Sequence, residues 1–192
     1  MLGARQGITN SLPYARRVEY LESTGTQWID TGITPNNQFQ VFCDGDFTAG
    51  TENPTYCGAR SSTSRMFEML CDVAKFCAQF GSASKRADNA INSRHTYLLG
   101  RAEFYLDGTK ALSFTASTFS VAVPLTIFAL NNNGTIARKS IAKIYNLKIY
   151  DDNSALVRDF IPVIDFDGIA CMFDKVSHSL YYNAGTGTFL TP

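Results

Sequence analysis

The chain reads as an all-β protein, a two-sheet antiparallel sandwich. Three observations predict this. Short runs alternating apolar and polar residues recur about a dozen times, each bounded by a Gly-, Ser-, Asn- or Asp-rich turn. The 192 residues include 14 Phe and 9 Tyr, and 45% are hydrophobic, which suits a sheet-rich core. No segment carries a convincing 3.6-residue period, apart from a weak one near Ala83 to Ile91. The length fits one domain with a tail.

Residues 1 to 16 hold Arg5, Arg16, two Gly and one Pro without a sustained period. They are expected to form an extended N-terminal arm, either a disordered leader or a segment that orders on a partner. Residues 17 to 192 form the domain. Val18 to Glu22 is its first strand, with Leu21 opposite Val18 and Tyr20. Ser23-Thr24-Gly25-Thr26 breaks that strand, and Gln27 to Thr31 resumes with Trp28 and Asp30 on one face. Gln38 to Phe47 puts Phe39, Val41 and Cys43 on one side and Gln40, Phe42 and Asp44 on the other. Tyr56 to Ala59, Arg65 to Cys71 and Lys75 to Phe80 follow, then Thr96 to Gly100 and Glu103 to Leu106. Asp107-Gly108 is a strong two-residue hairpin signal, and Thr109 to Phe114 returns from it.

Leu125 to Leu130 is continuously apolar between Pro124 and Asn131-Asn132-Asn133-Gly134, so a strand buried on both faces is expected. Ile141 to Tyr150 alternates, placing Tyr145, Leu147 and Ile149 with Ile141 and placing Ile144 with Ala142, Asn146 and Lys148. Leu156 to Val163, Ile169 to Asp174 and Leu180 to Asn183 complete the series.

Seventeen basic and seventeen acidic residues give a formal net charge of zero, which argues against a nucleic-acid or anionic-membrane partner. No apolar run approaches the roughly 20 residues of a membrane span, and the N-terminus shows no signal-peptide core. The cysteines are Cys43, Cys57, Cys71, Cys77 and Cys171. An odd count without CxxC spacing points to free thiols in a reducing compartment, with Cys71 and Cys77 the one pair close enough to face each other across a hairpin.

Several segments, taken in order, resemble a laminin-G-like, concanavalin-A-like jelly-roll module of gut bacterial and phage proteins. They are Val18 to Ile33, Cys57-Gly58-Ala59-Arg60, Phe104 to Gly108, Ile127 to Gly134, Lys143 to Asp151, Leu156 to Val163 and Asn183 to Phe189. The resemblance implies a jelly roll of two antiparallel sheets that binds glycans or proteins, or decorates a larger structure. With a short chain and no signal peptide, it points to a non-enzymatic virion component assembled in host cytoplasm: a capsid decoration, head fibre or tail module. Its arm would dock on other virion proteins, and homo-oligomers are compatible with such a role. A bacterial surface adhesin is the alternative, and a glycoside hydrolase or lyase a weaker one.

No catalytic residue is assigned. A glycosidase needs two carboxylates about 5 to 9 Å apart, and the nearest pattern, Glu68 with Asp72, reads as solvated charge on one strand face. His95 and His178 accompany no nucleophile motif. Trp28, Asp30 and Arg60 are the residues assigned to ligand contact. Core filling is the structural alternative for Trp28. For Arg60 and Arg158 it is a salt bridge to an acid such as Asp159 or Asp30. Asp165-Phe166-Asp167-Gly168 resembles part of a calcium loop but lacks the further acids, so it reads as a turn. No cofactor is expected; calcium, which related modules bind, has no placeable site. Asn133-Gly134-Thr135 fits a glycosylation sequon and, without secretion, reads as a turn.

Overall fold

The computed structural model describes residues 12–49, 53–72, 75–90 and 93–192. Among them every regular element is a strand. In chain order these are β1 (Arg16–Arg17), β2 (Leu21–Thr24), β3 (Ile29–Asp30), β4 (Gln40–Ala49), β5 (Thr55–Ser62) and β6 (Arg65–Asp72). β7 (Lys75–Gly81), β8 (Ala83–Ala90), β9 (His95–Gly100), β10 (Glu103–Leu106), β11 (Thr109–Ser113) and β12 (Thr126–Ile127) follow. β13 (Leu130–Asn132), β14 (Thr135–Ala137), β15 (Ile141–Tyr150), β16 (Leu156–Ile164), β17 (Ala170–Asp174) and β18 (Ser179–Tyr181) close the chain.

The strands form two sheets packed face to face, the sandwich that the alternation predicts. The first sheet runs β11-β10-β9-β4-β15-β16-β17-β18, and the second runs β14-β13-β5-β6-β7-β8 with β12 and β3 alongside. Among the described residues all pairings are antiparallel except β13 with β5. Phe67, Met69, Phe76 and Phe80 of the second sheet meet Val41, Leu99, Phe104, Ile149 and Phe160 of the first in one core. Burying each such side chain stabilises by about 1.5–3 kcal/mol.

β15 and β16 pair only over Leu147–Phe160 to Tyr150–Leu156 and then diverge. The N-terminal chain fills the fork: β1 pairs Arg16 with Ile164 and Arg17 with Val163, and β2 pairs Leu21 to Thr24 with Ile144 to Ile141. The Asn146 amide closes the crotch, donating to the Phe160 carbonyl at 2.7 Å and to Asp159 at 3.1 Å. Tyr14 caps a second, smaller apolar cluster of Ile161, Val163, Cys171 and Phe173. The last residues of the expected arm therefore lie on the sheet, whereas residues 1 to 11 fall outside the described residues.

Three local expectations change, and one open possibility closes. A bulge between Ile144 and Asn146 resets β15, so Ala142, Ile144, Leu147 and Ile149 all face the core. The apolar run at 125–130 is buried as expected, but it is two strands, because the chain turns at Phe128 with φ +66°. The weakly helical stretch is β8 over its described residues 83–90, Ile91 lying outside them; its partly buried Ala83 and buried Ala87 fit an edge strand as well as a helix, since a four-residue spacing satisfies both periods. Finally, Cys77 pairs opposite Leu70 and Cys71 opposite Phe76, so the two thiols leave opposite faces of the hairpin and form no disulfide.

Candidate functional site

The outward face of the first sheet carries an apolar row where alternation demands polar residues. Phe42 on β4 pairs with Leu98 on β9, and Leu98 pairs with Tyr105 on β10. Their neighbours Val41, Leu99 and Phe104 point into the core, so these three side chains point out, each half-buried. At the usual strand spacing the row spans about 10 Å. With Thr96, Tyr97 and Gly108 it floors a depression of about 350 Å³. Polar groups border it: Lys148 is opposite Phe42, and the Tyr105 hydroxyl donates to Glu103 at 2.6 Å, while Lys110 reaches Glu103 at 3.1 Å.

A second depression, about 440 Å³, lies on the same face, lined by Arg17, Val18, Glu19, Asp44, Arg94, Tyr145 and Asn146. Arg94 forks onto Asp44 through Nε at 2.8 Å and Nη2 at 2.7 Å, and its guanidinium stacks 3.6 Å over Tyr145. Lys143 lies over Tyr20, whose ring meets Tyr145 edge-on. The two depressions adjoin, because Asp44 of one pairs with Thr96 of the other.

Trp28, Asp30 and Arg60 lie on the outward side of the second sheet. Trp28 is half-buried, its backbone tied to Asn183 and Ala184, and Gly185 lets its ring pack close. Asp30 is exposed and accepts from the Gly32 N–H at 2.8 Å. Arg60 is half-buried on β5, but Gly58 is the β5 residue in line with Asp30 through Thr126. The fold thus gives the three a common face without gathering them at one point.

Glu68 is not a solvated charge. It is fully buried, accepts Arg138 Nη1 on both oxygens at 3.1 and 3.0 Å, and accepts the Thr55 hydroxyl. Burial pushes its carboxyl above the usual range, the Arg138 charge only partly offsetting this. Asp72 is tied to Arg86. Each carboxylate is thus held by a cation from another strand or loop, Glu68 by Arg138 and Asp72 by Arg86. The salt-bridge reading of Arg158 holds with another acid: it contacts Asp174 at 3.6 Å and donates to the Thr31 carbonyl at 3.2 Å, while Asp159 takes Lys175. Asp165 accepts the N–H groups of Asp167 and Ile169 and the Tyr182 hydroxyl, which is turn chemistry, and the Ile169 N–H leads the effects that lower its pKa.

Two features escape sequence reasoning. Phe42 is visible as an aromatic on the polar side of an alternating run, and only the pairing of β4, β9 and β10 turns it into a row. His95 lies between Ser93 and Asp107, a contact that a hairpin fourteen residues from Ser93 creates.

No protein-family model matches the chain, and neither does any curated protein. Among solved structures it is similar to a "putative carbohydrate binding protein" from Bacteroides ovatus, with a TM-score of 0.62 and 10% identity. The match covers 92% of this chain, which spans 60% of that protein's length. At such identity the likeness shows the fold, an all-β two-sheet sandwich.

Proposed function

We propose that this chain is a glycan-binding β-sandwich module that holds sugars without cleaving glycosidic bonds, and that it serves as a structural part of a phage virion. The observation that carries the binding reading is the outward Phe42–Leu98–Tyr105 row beside the Asp44–Arg94–Tyr145 depression. Glycans present apolar C–H faces rimmed by hydroxyls. An apolar floor carrying two aromatic rings, with carboxylate, guanidinium and ammonium groups at its edge, complements both parts. The carbohydrate-binding name of the similar Bacteroides ovatus protein supports the same reading. Trp28 on the other sheet is the second candidate contact.

The test is a glycan array followed by titration calorimetry of the best ligand. Phe42→Ala combined with Tyr105→Ala should weaken binding at least tenfold, while Trp28→Ala should leave it within about twofold. The reverse pattern would move the site to the second sheet, and no binding by the intact chain would overturn the reading.

The virion assignment, as capsid decoration, head fibre or tail module, rests on the resemblance, and a bacterial surface adhesin is its alternative. Because Tyr14 to Arg17 are docked on the sheet, the informative truncation removes residues 1 to 11 only. The shortened protein should stay folded and fail to join purified particles; full incorporation would count against an arm-docked virion protein.

A further inference from the structure

The sandwich end beside the apolar depression carries a hydrogen-bonded trio that sugar binding does not use. Ser93 precedes β9, His95 is its first residue, and Asp107 is the first residue of the β10–β11 turn. Ser93 Oγ lies 2.9 Å from His95 Nε2, and His95 Nδ1 lies 2.6 Å from Asp107 Oδ2. The order of contacts, hydroxyl to Nε2 and Nδ1 to carboxylate, is the one that lets an imidazole accept a serine proton.

Each member is held by its own local structure. Asp107 sits at φ +49° and Gly108 at +75°, as a tight two-residue hairpin requires. The Asp107 N–H donates to the Thr96 carbonyl at 2.8 Å, and its Oδ1 accepts the Thr96 N–H at 2.9 Å. This fixes its Oδ2 toward the ring. The His95 side chain is 20% exposed, its ring edge-on to Phe76 at 5.3 Å. With Nδ1–H donated to Asp107, Nε2 is left as the acceptor for the serine hydroxyl. Ser93 itself is exposed, so a reagent can reach it. Thr96 and Gly108, chain neighbours of His95 and Asp107, line the 350 Å³ depression over Phe42, Leu98 and Tyr105.

We propose that Ser93 is a nucleophile toward carboxylic esters, with His95 as its general base and Asp107 as the residue that positions the imidazole. Ser93 Oγ bonds to the ester carbonyl carbon as its proton passes to His95 Nε2. The bond from that carbon to the alcohol oxygen then breaks, and the alcohol leaves with the proton from Nε2. Water, deprotonated by Nε2, attacks the acyl-serine; the carboxylic acid departs and Ser93 regains its proton. No oxidant or other co-reactant is needed. This chemistry is separate from glycan recognition and is tested without any sugar.

The full chain is treated with a fluorophosphonate and weighed intact, and its hydrolysis of p-nitrophenyl acetate is followed against buffer. One adduct on Ser93 is expected, with hydrolysis lost in Ser93→Ala. Asp107→Asn keeps an oxygen for the Thr96 N–H but removes the carboxylate, and should lower kcat at least tenfold at unchanged KM. Labelling or hydrolysis that persists in Ser93→Ala overturns the proposal. So does an intact chain that neither labels nor exceeds the buffer rate, and so does an Asp107→Asn variant with unaltered kcat.

Discussion

Arg138→Met isolates the buried ion pair of the second sheet. The methionine keeps an apolar stem against its neighbours while removing the guanidinium. Glu68, with no exposed surface, then loses the Nη1 contacts at 3.1 and 3.0 Å and keeps only the Thr55 hydroxyl. Removing one partner of a buried pair costs about 3–5 kcal/mol. The Arg138 side chain is 26% exposed, so water reaches the vacated position and the lower end, about 3 kcal/mol, applies at pH 7.5. For a chain of this size that lowers the thermal midpoint by about 6–12 °C.

The pH dependence gives a second, independent check. Burial already raises the folded-state pKa of Glu68, and without Arg138 it rises further. A raised carboxyl binds more protons folded than unfolded, so its penalty is absent below the unfolded value, about 4.3, and grows as pH rises through the folded one. The variant should therefore lose at least about 1 kcal/mol less at pH 5 than at pH 7.5. Guanidinium denaturation at both pH values measures this. A loss below about 1 kcal/mol at pH 7.5, or equal losses at both, would refute the buried-charge argument.

Tyr97→Phe should cost about 1–3 kcal/mol, because it strands the Tyr56 hydroxyl, 3.2 Å away in the core. Adding Tyr56→Phe should recover part of that loss, and a double-mutant cycle by urea denaturation would expose a failure to do so. Gly45→Ala should destabilise by about 1–3 kcal/mol, since its Cβ would meet the Tyr56 ring at 2.9 Å and the Lys143 carbonyl at 3.0 Å. An unchanged thermal midpoint would show that the Tyr56 ring can yield.

How far the fold is legible depends on range. Alternation in β4 marks the core positions Val41 and Cys43 and the outward Phe42, since a strand's two faces follow from local geometry alone. The same rule fails in β15, where one extra residue at the bulge shifts the faces and nothing in the ten-residue run marks it. Glu68 fails for a longer-range reason: four residues from Asp72 on one strand face it reads as solvated charge, while the arginine that pairs with it lies seventy residues on. The candidate site behaves similarly. Phe42 is visible, but its partners Leu98 and Tyr105 come from strands whose order no local pattern encodes.

The sequence by itself determined an all-β sandwich, the turns at Asp107-Gly108 and Asp165 to Gly168, and a zero net charge, because periodicity, turn chemistry and titratable content are local or additive properties. Tertiary structure alone decided which distant partner each of several polar residues meets. It paired Arg158 with Asp174 and Thr31, buried Glu68 under Arg138, and brought Asp107 to His95. Those contacts arise from strand order and register, which the whole core fixes by burying both sheets at once.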